Sequence, residues 1–370
     1  MDKYIYLDNC ATTPLSPATK QAIIDNLDEF GNPSSVYELG RRAKIKIEEA
    51  REKIASLINA DPGEVLFTSG ATESNNWVLS QSWYDYRFIT NIEHPSIYNL
   101  FDTLHCIKVD KDGIVRDASK KPTTYRYDFL TSIMMVNNEL GTINPIKELC
   151  ETVHKNCGQF HCDLTQAVPH MRVDIKDLAV DTASFSAHKF NGPKGVGVLF
   201  EKQGYGIDPL ILGGKQEWDK RAGTENVLGI IAMAVALEDT VLHMDETNEK
   251  IAYLSTLLEE NIFNITGVHD NVLAPKNSRI PGIFNLRIDG CKGSDLVAVA
   301  SEYGIAISSG SACHSGDSRP SHVLKAIGLT DEQALSSVRI SLGRFNGEQD
   351  VRYFCEKFPK IIKLLRSIGG

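Results

Sequence analysis

An alternation constrains this chain more than any other feature. From residue 16 to about residue 200, strand-like runs of four to seven residues alternate with longer stretches of helical character. The runs at 65–68, 87–91, 132–137, 159–163 and 181–187 read as strands, and residues 16–30 and 39–59 read as helices. The first helix has Ser16-Pro17 as its cap and first-turn proline. This order predicts an α/β fold: a mostly parallel sheet covered by helices on both faces. After about residue 245 the pattern changes. A long helix over 246–262 leads into an Asn/Pro/Ser-rich stretch and then a less regular order, which predicts a smaller α+β domain. The 370 residues suffice for two such domains.

A net charge of −9 argues against general nucleic-acid binding. The longest apolar run, 229–237, is too short to cross a bilayer, so no membrane association is expected. The first residues lack the layout of a signal peptide, and eight cysteines in a chain of this length do not make a disulfide scaffold. The expectation is a cytoplasmic protein with reduced thiols. The spacing of Cys150, Cys157, His161 and Cys162 fits no common zinc pattern, so no metal is expected.

Several positions carry chemistry, each with a plainer alternative. Lys189 follows the apolar run 181–187, with Ser186 and His188 beside it and a Gly/Pro turn behind. A desolvated lysine there is a free amine suited to Schiff-base chemistry; the alternative is a surface lysine in a turn. Ser69-Gly70-Ala71-Thr72-Glu73-Ser74-Asn75 is either a phosphate-binding turn or an ordinary strand-to-helix turn capped by Thr72. Asp163 ends a strand, where it pairs with a protonated ring nitrogen or caps a helix. Cys313 lies in a small polar loop, either as a reactive thiol or as an incidental one. Arg339, within an alternating strand, grips a carboxylate or forms a structural ion pair. His94 is an acid–base or ring-stacking group, or merely structural.

The order of these pieces closely resembles the cysteine desulfurases, a branch of the class-V aminotransferases. The resemblance runs through Tyr6-Leu7-Asp8-Asn9-Cys10-Ala11-Thr12-Thr13-Pro14, residues 68–75, Glu93-His94, Val136-Asn137-Asn138-Glu139-Leu140-Gly141, residues 308–313 and residues 339–345. It implies the fold of type-I pyridoxal 5′-phosphate (PLP) enzymes, with a large cofactor-binding domain over 15–245. A small domain of 1–14 and 246–370 would carry the cysteine loop.

The resemblance also implies roles. Lys189 would bind PLP covalently, Asp163 would pair with the pyridine nitrogen and Gln166 would contact the 3′-oxygen. Ala71, Thr72, Ser186 and His188 would hold the phosphate, joined by Thr224 from the neighbouring subunit of a homodimer with shared sites. His94 would stack on the ring and move protons, and Asn138 and Arg339 would hold the substrate carboxylate. Cys313 would take sulfur from L-cysteine as a persulfide, leaving L-alanine. The sulfur would then pass to an acceptor protein, an iron–sulfur scaffold or a tRNA-thiolation protein. The long loop with Ser-Ser-Gly-Ser-Ala-Cys matches the NifS/IscS group. Two departures stand out: Lys215 and Trp218 alter a segment that is usually richer in glycine, and the chain ends soon after its last helix, without the extension that some members use to dock a scaffold.

Overall fold

The computed structural model describes residues 4–100, 105–122, 128–309 and 319–368. The strands begin with β1 (Ile5–Tyr6), β2 (Val65–Thr68), β3 (Tyr86–Thr90), β4 (His105–Ile107), β5 (Phe129–Ser132), β6 (Gln159–Asp163), β7 (Thr182–Ser186) and β8 (Gly197–Glu201). They continue with β9 (Val268–Asp270), β10 (Ile283–Ile288), β11 (Ile305–Ala306), β12 (Ser308–Ser309) and β13 (Ser337–Ser341). β2 to β8 make one sheet in the order β2-β8-β7-β6-β5-β3-β4. All neighbours are parallel except around β8, which runs antiparallel to both β7 and β2.

Every residue of β2, β5, β7 and β8 is buried, as a sheet covered on both faces requires. Alternate residues feed opposite cores: Val65 and Phe67 join one cluster, Leu66 the other. The helix Ala71–Leu79 packs on β7 and β8, and Ile146–Lys155 packs on β6. Ser16 caps Pro17–Asp25 by accepting the Thr19 N–H at 3.1 Å.

Two sequence expectations shift. The strand expected at 132–137 is β5, Phe129–Ser132. Beyond it the backbone still bonds to β6, Ile133 N–H to His161 at 3.1 Å and Met135 N–H to Asp163 at 3.0 Å, but Asn137 turns the chain. Its Oδ1 accepts the Glu139 and Leu140 N–H groups, each at 2.9 Å. The apolar run therefore outlasts the strand, because residues 133–136 stay buried beside the cleft described below. The first helix also stops at Asp25 rather than at residue 30; Asn26 caps it by donating its N–H to the Ile23 carbonyl and its Nδ2 to the Ala22 carbonyl.

The second sheet is antiparallel, in the order β12-β13-β10-β9, and β1 pairs in parallel with β11. Its core joins Leu254, Leu258, Leu286, Ile340, Phe354 and Phe358 to Ile5 and Leu7 from the far end of the chain. The N-terminal strand thus carries residues 8–12 across to the large sheet: Asp8 bridges to Ser341, and Thr13 N–H bonds to the His188 carbonyl at 2.9 Å. Among the described residues no single helix is long and apolar enough to cross a membrane.

Candidate active site

A cleft of about 540 Å³ opens at the C-terminal ends of β6 and β7, where parallel sheets present ligand-binding groups. Ala71, Thr72, His94, Asn138, Asp163, Gln166, Ser186, His188, Lys189 and Arg339 all line it. Lys189 ends a single 3₁₀ turn that follows β7. Its Nζ donates to the carbonyls of Cys10 at 2.6 Å and Ala11 at 2.9 Å. Burial, aided by Arg339, pushes its pKa down to about 8. It is a half-buried amine in the cleft wall, not a surface lysine in a turn.

At the phosphate-sized end, Ser186 Oγ accepts the Ala71 N–H at 2.7 Å, tying β7 to the first turn of Ala71–Leu79. Gly70 caps that helix at φ 152°, so Thr72 does not serve as the cap. A Cβ at Gly197 would lie 2.6 Å from the Gly70 Cα, which is why β8 needs a glycine to reach the turn. Burial, with Lys189 next in effect, pushes the His188 pKa down to about 4; its Nδ1 lies 3.1 Å from Thr12 Oγ1. The turn therefore combines a helix N-terminus, hydroxyls and a neutral imidazole, a donor set that suits a phosphate.

Asp163 is held by other groups. Its Oδ2 accepts from Asn75 Nδ2 and its Oδ1 from the Thr165 N–H, each at 2.9 Å. Asn75 also donates to Ser96 Oγ at 2.9 Å and accepts from His161 Nε2 at 3.0 Å and from Ser184 Oγ. His94 caps the short helix Pro95–Tyr98, its Nδ1 accepting the Ser96 N–H at 3.2 Å. Gln166 lines the cleft, with its Nε2 given to the Cys10 carbonyl at 2.9 Å. Tyr98 and His322 stack at the mouth, with ring centroids 4.2 Å apart.

Arg339 forms a structural ion pair and also lines the cleft. Nη2 pairs with Asp8 Oδ1 at 2.7 Å and Nη1 donates to the Asn138 carbonyl at 3.0 Å, while the buried Nε has no acceptor. An unpartnered donor on a guanidinium that lines a cleft suits an incoming carboxylate. Beside it, burial pushes the Glu139 pKa up to about 7, and its Oε2 accepts from Ser321 Oγ at 2.7 Å.

Among the described residues, one expected site residue does not line this cleft, as befits a group expected from a neighbouring subunit. Thr224 lines a separate, smaller cavity with Ser69, Gly195 and Arg221. Arg221 ties its loop to the phosphate turn through Glu73, at 2.9 and 3.1 Å. Cys313 lies outside the described residues; Ser308 and Arg319, on either side of it in sequence, both line the cleft. Of the four residues considered for metal, Cys150 lies on a helix, Cys157 in the turn after it and His161 and Cys162 on β6, and no group of three ligands forms among the described residues. Asp8, Asn75 and Glu139 lie in the motifs quoted above but had no role assigned, and Ser96 and Ser321 were not singled out. They are ordinary polar residues whose partners come from elsewhere in the chain.

A family model for class-V aminotransferases matches residues 5–354. The chain is 38% identical to "Cysteine desulfurase IscS" of Methanosarcina thermophila, with 100% of this chain and 94% of that protein covered. It is 40% identical to the IscS of Dictyoglomus turgidum, with 100% and 97% covered. Among solved structures, a NifS-like protein from Rickettsia africae superposes with a TM-score of 0.90 at 33% identity, covering 98% of this chain and 100% of that one. On this fold, this cleft and these relatives, the chain belongs to the class-V aminotransferases and, within them, to the cysteine desulfurases.

Proposed function

We propose that the cleft binds PLP and converts L-cysteine to L-alanine, with Cys313 taking the sulfur as a persulfide for an acceptor protein. Lys189 carries this reading: it lines the cleft, and desolvation, with Arg339, pushes its pKa down to about 8. The cleft volume lies in the range of small-ligand sites, about 300–1,000 Å³. Lys189 would hold the cofactor's aldehyde carbon, Asp163 its ring nitrogen, and Ala71, Thr72, Ser186 and His188 its phosphate. Bound there, PLP supplies an electron sink for the Cα–H bond pair. The residues do the rest. Arg339 and Asn138 fix the substrate carboxylate, and Asp8 fixes Arg339. Lys189 takes the Cα proton at Nζ, which its depressed pKa leaves partly free near neutrality. Cys313 would attack the substrate sulfur as thiolate, the S–S bond forming as the Cβ–S bond breaks and leaves its electron pair on the carbon that becomes alanine's methyl group.

We further propose a homodimer with shared sites. Phe30, Val36 and Leu212 are 78%, 87% and 83% exposed, as apolar side chains waiting for a second copy would be. Thr224 stands on the far side of the phosphate turn, where it is available to a neighbour. Assembly of iron–sulfur clusters is the acceptor pathway we favour, because the two relatives named above, matched along nearly their full length, are called IscS. A cytoplasmic location is supported by the seven described cysteines, all unpaired.

The test is direct. Purified protein should be yellow, should release alanine from L-cysteine, and should carry radiolabelled sulfur on Cys313. Lys189→Ala should abolish the visible absorption, and Cys313→Ala should abolish persulfide formation. A colourless protein that takes up no PLP, or full turnover without Cys313, would sink the reading.

A further inference from the structure

A chain of hydrogen bonds runs from Asp163 to His94 through two residues that no role above requires. Asn75 is fully buried and uses its whole amide. Nδ2 donates to Asp163 and to Ser96 Oγ, and Oδ1 accepts from His161 and Ser184. Its orientation is fixed, because a carboxylate on one side only accepts. His161 must then carry its proton on Nε2, leaving Nδ1 to accept from Thr182 Oγ1 at 2.9 Å. Ser96 Oγ already accepts one Asn75 hydrogen, so its own hydrogen is free to donate. The nearest acceptor is His94 Nδ1, 2.8 Å away. The same Nδ1 accepts the Ser96 backbone N–H, an obligate donor. Two donors therefore converge on Nδ1, and a proton there would face both.

We propose that Asn75 and Ser96 are positioning residues that lock His94 in the tautomer with its proton on Nε2. His94 then presents an N–H to the cleft and has no lone pair there with which to take a proton. It orients and polarises what it meets, while Lys189 alone moves the Cα proton. Burial also disfavours the charged ring, which agrees with a neutral His94. Asp163, Lys189 and His322 are the charged or titratable groups that act on it. The tautomer follows from the protein's own hydrogen bonds; only its use as a donor rests on the PLP reading.

The experiment is nitrogen-15 NMR of histidine-labelled protein, as purified and after addition of pyridoxal phosphate. Expected is a His94 whose Nδ1 is unprotonated and whose Nε2 is protonated in both samples. Ser96→Ala should let part of the population shift its proton to Nδ1 and should lower kcat about tenfold, the scale of one lost hydrogen bond, with little change in KM. Ser96→Thr keeps the hydroxyl and should restore both readouts. A wild-type His94 protonated on Nδ1 overturns the proposal, as does a Ser96→Ala protein with tautomer and kcat unchanged. Because the NMR signature does not require turnover, failure to bind PLP would overturn the proposed function and leave this test readable.

Discussion

At the scale of single residues, the site is built from groups whose ordinary chemistry is altered by burial. Glu139 shows the consequence for stability. In the unfolded chain it ionises near 4.5, in the fold near 7. Between these values the folded form keeps a proton that the unfolded form releases, so stability falls as pH rises through that window and the penalty persists above it. Glu139→Gln keeps an acceptor for Ser321 and removes the titration. It should raise the melting temperature at pH 8, by a stability gain of roughly 1–3 kcal/mol, and change little at pH 4. An equal gain at both pH values would contradict the assignment. Asp8 gives a second residue-scale prediction. It holds one edge of Arg339, so Asp8→Asn should raise KM for cysteine about 10- to 100-fold, the loss of one charge-assisted bond, with a smaller change in kcat. A kcat loss at constant KM would place Asp8 elsewhere in the mechanism. Lys189 and Arg339 were legible from the sequence because a charged residue at a strand end or within a strand is unusual. Asp8, Asn75 and Ser96 were not, since a polar side chain gains its role only when a distant element arrives: Asp8 meets Arg339 across 331 positions.

At the scale of elements, the strands that position the site could be read from composition and the segments between them could not. β2 and β6 fall on the residues expected: Val65–Thr68 is a short apolar run closed by a small-residue turn, and Gln159–Asp163 alternates polar residues with Phe160 and Cys162. β5 was misplaced because burial continued past the last regular strand pairing. The segment Gln216–Asp219 is the sharper case. Glu217, Trp218 and Asp219 all have left-handed φ values of 45°, 56° and 65°, which no pattern of apolar residues signals. Arg51 holds this turn in place. Its guanidinium pairs with Glu217 at 2.8 and 2.9 Å and lies between the rings of Phe67 and Trp218, 4.4 and 4.5 Å from their centroids. Trp218, a departure from the family pattern, thus packs on the arginine that the same turn engages. Arg51→Ala would leave the Glu217 carboxylate buried without its partner and should destabilise the protein by about 3–5 kcal/mol. Denaturant unfolding measures this; a loss below 1 kcal/mol would mean that water replaces the arginine.

At the scale of the whole molecule, the turn proposed to hold the phosphate is shared between two cavities. One wall is the cleft with Lys189, and the other, across the Ser69–Gly70 turn, is the cavity with Thr224. Glu73 bonds the Ser69 N–H and Arg221, so the loop that carries Thr224 is anchored to the turn without entering the cleft. In a dimer with shared sites, Thr224 of one copy would serve Lys189 of the other, and a mixing experiment separates this from a site within one chain. Lys189→Ala and Thr224→Ala proteins are purified, partly unfolded together and allowed to reassociate. Random exchange makes half of the dimers mixed, and in each of these one site has both defects while the other has both native residues, so about a quarter of wild-type activity returns. If Thr224 acts on its own chain's Lys189, every site keeps one defect and mixing restores nothing beyond the average of the two variants.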